Sequence, residues 1–316
     1  MSTPLTTRGA FLAGSIATSA TVIAARPARA QSEVLRILTA PVGVGALPFF
    51  AREKGYFDEA GLKVDLTPVT SGAAALAAVA GGAVEIGLTN AGSVAAAVLR
   101  NLPFTIIADG ALYDQKKPDT FLCVAPNSPI AKAADLNGKT VAVNGLKQAV
   151  QAGAQTWIDA NGGDSKTVRF VEMPFSTMAA AIESGRIDAG NIAEPAFTIA
   201  GHKVKSIATP EGAIAPIFSV ISFACDRSWV ERNKARAQRF KSAVERAAQW
   251  ANDNTREAKT LLAGYMHLAP EVADAMTLSL YPTSLEVSHL QPLIDAMAKY
   301  AFIPQRVDAN TLITHF

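Results

Sequence analysis

The chain has 316 residues, 49% of them hydrophobic and 18% charged, with a formal net charge of +2 and two cysteines. That apolar content excludes a disordered chain, and two cysteines exclude a disulfide-built scaffold. The near-neutral charge makes no electrostatic case for nucleic acid or an anionic membrane as partner, and the length suits two domains of ordinary size.

Residues 1–30 read as a secretory signal peptide. Arg8 precedes an apolar, small-residue run over 9–25, and Ala28-Arg29-Ala30 supplies the small residues of a cleavage site. Cleavage there makes Gln31 the mature N-terminus. Arg8, Arg26 and Arg29 leave with the signal, so the mature balance turns slightly acidic. Gly9 stands where a twin-arginine signal has its second arginine, and both bacterial export routes stay open. With no cysteine near the cleavage site to carry lipid, the expected product is a soluble periplasmic protein of a Gram-negative bacterium.

In chain order, residues 36–40 read as a strand, 41–47 as a glycine-containing turn and 48–60 as a helix with Pro48 in its first turn. Gly61 stops that helix before a strand at 63–69. Ser71-Gly72 caps a helix at 73–80, 84–89 is a third strand, 91–100 is helical and 103–108 is strand. Two β-like runs, 120–125 and 218–225, sit where the chain would cross between lobes, and Pro126-Asn127-Ser128-Pro129 marks a boundary. Between them, strands at 140–143, 168–171, 189–192 and 204–207 alternate with helices at 148–161, 177–184 and 195–201. Such alternation argues parallel βαβ units. From Arg227 onward the chain is helix-rich, over 227–263, 270–280 and 288–301, and this tail is expected to pack back onto the first lobe.

A long-range repeat organises these elements. Gly82-Ala83-Val84-Glu85-Ile86-Gly87 returns 103 residues later as Gly185-Arg186-Ile187-Asp188-Ala189-Gly190. At the same offset Arg36–Ala40 lines up with Lys139–Val143, and one residue further Val64-Asp65-Leu66 meets Val168-Arg169-Phe170. A repeat of this length is a sub-domain rather than a solenoid unit. The expected fold is therefore α/β: two doubly wound lobes with a cleft between them, joined by two hinge strands. The expected boundaries are 31–123 for the first part of lobe 1, 124–222 for lobe 2 and 223–316 for the return to lobe 1.

Several motifs can be set aside. Val42-Gly43-Val44-Gly45-Ala46-Leu47-Pro48 imitates a dinucleotide fingerprint but has Pro48 at the third glycine. Asn137-Gly138-Lys139-Thr140 imitates a phosphate loop without its first glycine. His202, His267, His289 and His315 are scattered without ligand spacing, and no Gly-x-Ser-x-Gly elbow is present. No cofactor, metal site or catalytic residue is expected. Cys123 and Cys225, on the two crossing runs, could lie close enough to pair in an oxidising compartment, or each could be a small buried apolar residue.

What remains are the turns at the carboxyl ends of the strands, where open α/β sheets bind ligands. These are 44–47, 70–72 and 89–91 in lobe 1, and 144–148, 173–177 and 193–195 in lobe 2. Lys147, Gln148 and Glu194 carry long polar side chains there. Ser71, Asn90 and Thr177 also suit helix caps.

Phe50-Ala51-Arg52-Glu53-Lys54-Gly55-Tyr56-Phe57-Asp58-Glu59-Ala60-Gly61-Leu62-Lys63-Val64 resembles the opening segment of the nitrate/sulfonate/taurine-type substrate-binding proteins of ABC importers, a family that includes thiamine-pyrimidine-precursor binders. Asp135–Val143 and Glu194-Pro195 resemble further segments of the same family. The resemblance implies a periplasmic binding protein type II-like fold, closing about its hinge on a small organic solute of anionic type: a sulfonate, a carboxylate or a pyrimidine precursor. It implies delivery to an inner-membrane permease with its cytoplasmic ATPase, action as a monomer, and no enzymatic activity. The family's ligand-contacting turns carry over to Gly45, Ala46, Ser71, Gly72, Asn90, Ala91, Lys147 and Glu194. No arginine occupies these turns. Alternatives are an enzyme on the same scaffold, of pyrimidine-precursor synthase or desulfinase type, or a periplasmic sensor subunit.

Overall fold

The computed structural model describes residues 34–69 and 71–316. The expected signal peptide, the expected cleavage before Gln31, and Thr70 of the second turn lie outside the described residues. The elements run β1 (Leu35–Thr39), α1 (Leu47–Glu53), α2 (Tyr56–Glu59), β2 (Val64–Pro68), α3 (Gly72–Ala80), β3 (Ile86–Thr89), α4 (Ala91–Val98) and β4 (Phe104–Asp114). Then come β5 (Thr120–Val124), β6 (Thr140–Val143), α5 (Ala149–Ala160), β7 (Arg169–Glu172), α6 (Phe175–Glu183), β8 (Ala189–Ala193), α7 (Ala196–Ala200) and β9 (Lys205–Ala208). The chain finishes with β10 (Ile217–Asp226), α8 (Arg227–Arg232), α9 (Lys234–Asp253), α10 (Thr255–Met266), α11 (Pro270–Ala275) and α12 (Val287–Lys299).

Two five-stranded sheets result, ordered β2-β1-β3-β10-β4 and β7-β6-β8-β5-β9. They obey one plan. In each, three parallel strands from successive βα units are followed by an antiparallel strand that has just crossed from the other lobe. The repeat is thus real, with one register correction. Leu38 pairs with Gly87 and Ala142 pairs with Gly190, so β1 corresponds to β6 at an offset one residue larger than the glycine motif gives. A one-residue slip reverses which face each side chain takes, so the ladder and not the sequence alignment decides.

The expected boundaries also shift. β5 belongs wholly to the second sheet and β10 wholly to the first, which puts the crossings at 115–119 and 209–216 instead of 123/124 and 222/223. β4 continues past the expected end at Ala108. Ser219 and Ser222 on β10 donate to the Asp109 carboxyl, and a Cβ on Gly110 would lie 2.7 Å from the Ile221 side chain, so β10 holds the extension in place. The helix expected at 48–60 is two helices, because Gly55 takes the left-handed region at φ 73°.

The C-terminal helices pack onto lobe 1 as expected. α9 brings Phe240 into ring contact with Phe57 and Phe223, while Leu290, Leu293 and Ile294 of α12 join the core holding Ala91, Val94 and Ala95 of α4. Burying side chains of this size contributes roughly 1.5–3 kcal/mol each.

The two cysteines are free and buried. Cys123 packs beside Met178 and Ile182 in lobe 2, and Cys225 beside Phe223 and Val230 in lobe 1. Their expected proximity fails because β10 runs away from the crossing, so Cys225 stands about 25 Å along the strand from Ile217.

Candidate functional site

The helix N-termini of both lobes converge where the sheets end. Thr39 Oγ1 donates to the Gly45 carbonyl at 2.8 Å and folds the turn back on β1, so a Cβ at Gly45 would fall 2.3 Å from the Ala40 oxygen. Ala46 is fully buried and offers the site only backbone. Ser71 is exposed and caps α3, its hydroxyl accepting from Ala74 N at 3.2 Å. Gly72 lies over β3: a Cβ there would sit 2.8 Å from Thr89 Oγ1. Asn90 caps α4 by accepting from Ser93 N at 2.8 Å, and Ala91 behind it is buried.

From lobe 2, Lys147 is exposed with φ 57°, and its N–H donates to Gln151 Oε1 at 2.6 Å. That turn aims Gln148 across the cleft. Asn90 Nδ2 donates to Gln148 Oε1 at 2.9 Å, and Ser93 Oγ donates to the same oxygen at 3.4 Å. Lobe 1 and lobe 2 therefore touch through amide side chains.

Glu194 makes a second bridge. Thr198 N and Oγ1 donate to its carboxylate at 3.1 and 3.0 Å, and Thr277 N, from the strand-like segment after α11, donates at 3.3 Å. Burial is the largest influence on this carboxyl and holds its pKa above the ordinary range, with the Asp119 charge adding to the rise. Asp119, at the end of the first crossing, makes the third bridge by accepting from Ser279 Oγ at 2.7 Å. Burial also raises its pKa. Tyr281, two residues on, donates to the Gly43 carbonyl at 2.8 Å and ties this segment to the first turn.

Several of the candidate residues are thus linked. Asn90 bonds Gln148, next to Lys147, Gly72 meets β3 at Thr89, and the Gly45-Ala46 turn connects through Gly43 and Tyr281 to the segment that holds Glu194, while Ser71 only caps α3. Asp119, Thr277 and Ser279 were not anticipated. Asp119 follows Pro118 at a crossing and could have been singled out as a polar residue entering a hinge. Thr277 and Ser279 lie in a stretch whose pattern reads as helix.

Within the second crossing, Glu211 is 2% exposed and accepts from Asn191 Nδ2 at 3.3 Å. Burial pushes its carboxyl up to about 8. A Cβ on Gly153 would lie 3.2 Å from the Glu211 Cα, so α5 seats closely on the crossing and a larger residue there would push the two apart by a few tenths of an ångström.

A family model described as NMT1/THI5 like matches residues 46–258. A formylaminopyrimidine-binding protein of Halalkalibacterium halodurans is 26% identical over 227 residues, covering 70% of this chain and 67% of that protein. Among solved structures, the periplasmic aliphatic sulphonate binding protein SsuA from Escherichia coli superposes with a TM-score of 0.72 at 19% identity, covering 90% of this chain and 92% of that one. The periplasmic nitrate-binding protein NrtA from Synechocystis PCC 6803 gives 0.73 at 14% identity, with 89% and 85% covered. At such identities the likeness is one of fold.

Proposed function

The chain belongs to the NMT1/THI5-like family, and on that footing we propose that it is the solute-binding component of an ABC importer, capturing a small organic solute between its lobes and presenting the closed form to a membrane permease. One observation carries the reading. The turns at the carboxyl ends of two equivalent sheets meet through Asn90–Gln148, and Glu194 and Asp119 bond Thr277 and Ser279 of the lobe 1 segment after α11. A solute touching both lobes favours the closed population because it makes contacts there that the open form lacks. Gly45, Ala46, Ser71, Gly72, Asn90, Ala91, Lys147 and Glu194 are the proposed contacts, the apolar ones through backbone. The export signal read from residues 1–30 supports a periplasmic location.

Of the solute types in view, the pyrimidine-precursor type has most support. The formylaminopyrimidine-binding relative points to it. Asp119 and Glu194 suit a solute with N–H donors, whereas a sulfonate or simple carboxylate would meet Lys147 as the only cation among the proposed contacts.

A binding role is favoured over a catalytic one. A desulfinase-type enzyme on this scaffold would draw on an activated cysteine, yet Cys123 and Cys225 are buried, and burial pushes the Cys123 thiol up to about 12 and Cys225 higher still.

The test is a thermal-shift screen of the mature protein against aminopyrimidines, sulfonates, nitrate and small carboxylates, followed by mass analysis of the recovered solute. A native-state binder raises Tm by mass action. The expected outcome is a hit recovered unchanged, bound more weakly by Glu194→Ala. A hit that is consumed would overturn the importer reading in favour of an enzyme.

A further inference from the structure

Helix α5 belongs to lobe 2, yet lobe 1 holds it at both ends. Its first turn meets α4 through Gln148 and Asn90. At its last turn Asp159 Oδ2 accepts from the hydroxyl of Tyr300, the C-cap residue of α12, at 2.9 Å. Between these ends Ala152 is fully buried in the apolar core that holds Leu290, Leu293 and Ile294 of α12, and Ala149 packs against the same core. From Gln148 to Asp159 the helix spans about 17 Å.

A chain of hydrogen bonds runs along the helix from one contact to the other. Lys147 N donates to Gln151 Oε1 at 2.6 Å, Gln151 Nε2 to Gln155 Oε1 at 3.3 Å, and Gln155 Nε2 to Ser165 Oγ at 3.3 Å. Ser165 Oγ then donates at 3.1 Å to Asp159 Oδ2, the oxygen that also accepts from Tyr300. Lys147, Gln151, Gln155 and Asp159 recur every four residues and so form one row on the helix surface. Every donor in the chain points towards Asp159, so the bonds polarise one another in the same sense. Gln151 and Ser165 are 8% and 2% exposed, so neither is a solvated surface group.

We propose that Gln151, Gln155, Ser165 and Asp159 form a relay that couples the cleft turn at Lys147-Gln148 to a second inter-lobe contact at Tyr300, so that the two contacts form and break together. The relay bears on lobe closure, and in that it rests on the solute-binding reading; it adds a control point outside the cleft. Gln151 and Tyr300 are positioning residues that touch no solute. Gln151 holds Lys147 at its φ of 57°, the turn that aims Gln148 at Asn90. Tyr300 fixes the carboxylate on which the chain ends. When the lobes part, the chain loses that fixed end and the cleft turn loosens with it. A physical link of this kind is established by measured coupling between its members, not by their adjacency.

The test is hydrogen–deuterium exchange of the mature protein with no solute added, read by mass spectrometry. Wild type, Tyr300→Phe, Ser165→Ala and the double variant are compared. Tyr300→Phe keeps the ring and removes only the hydroxyl, while Ser165→Ala cuts the chain inside lobe 2. The expected result is exchange over residues 145–149 that is about two- to tenfold faster in each single variant, with β1 and β6 unchanged. The double variant should exchange no faster than the faster single one, because both changes cut the same chain. Exchange that rises only around residues 157–166, a response of the turn to just one of the two variants, or effects that add in the double variant would overturn the proposal and leave Asp159–Tyr300 a local contact. If Ser165→Ala does not fold, Tyr300→Phe alone decides by whether the distant turn responds. The importer reading fails separately, when no solute of any class binds or a bound solute is consumed.

Discussion

Asp109 and Glu211 are carboxyls that burial holds far from their ordinary behaviour. Asp109 is pushed up to about 7 and Glu211 to about 8, desolvation being the largest cause in both. Their values in the unfolded chain are near 3.8 and 4.5, so between about pH 4 and 8 the folded state binds more protons than the unfolded one. Stability should then fall as pH rises through that window. Asp135 and Asp159, whose pKa values are lowered, act the other way only at acid pH, below their ordinary values. The urea midpoint is expected to be higher at pH 5 than at pH 8.5, with Asp109→Asn and Glu211→Gln each flattening the trend. A midpoint that rises with pH would show that these carboxyls are not buried as described. Neither residue announces its role in the sequence. Asp109 depends on serines more than a hundred positions away, and Glu211 on Gly153 and Asn191. Glu194, by contrast, stands out from its place directly after a strand, and the structure sets it against Thr198 and Thr277.

Elements with local punctuation could be read from sequence. Ser71 and Asn90 cap the helices they precede, and the βα alternation of both lobes appears at nearly the expected positions. Gly55 breaks a helix that composition alone would continue, since only its φ of 73° reveals the turn. β4 and the segment after α11 were misjudged because long-range partners shape them. β4 is held by β10, and Leu280 bridges to Leu112 in an extended segment expected to be helical. At this scale the contact that matters most is the one between α4 and the turn before α5. Gln148→Ala removes the acceptor that Asn90 and Ser93 share and leaves the α4 cap intact. Losing such a bond costs about 0.5–1.5 kcal/mol. Solute affinity is therefore expected to drop roughly three- to tenfold, with the melting temperature of the free protein little changed. Unchanged affinity in a calorimetric titration would remove this bridge from the closing mechanism.

The molecule as a whole is one βα plan used twice, with each copy lending a strand to the other. That exchange puts both crossings side by side, Asp114–Thr120 and Ala208–Ile217, and makes them the only covalent links between the sheets among the described residues. The repeat disclosed the two lobes before any coordinates. It could not place the crossings, because β5 and β10 each read equally well as the last strand of one lobe or the first of the next. Two lobes on two links can rotate about them, and the side-chain bridges across the cleft are few enough for a solute to tip the balance. Small-angle X-ray scattering of the mature protein, alone and saturated with the solute found by thermal shift, tests this most directly. A radius of gyration that falls on saturation, with the bound solute recovered intact, is the result expected of a closing receptor. A radius of gyration that stays the same under demonstrated saturation would contradict capture by lobe closure.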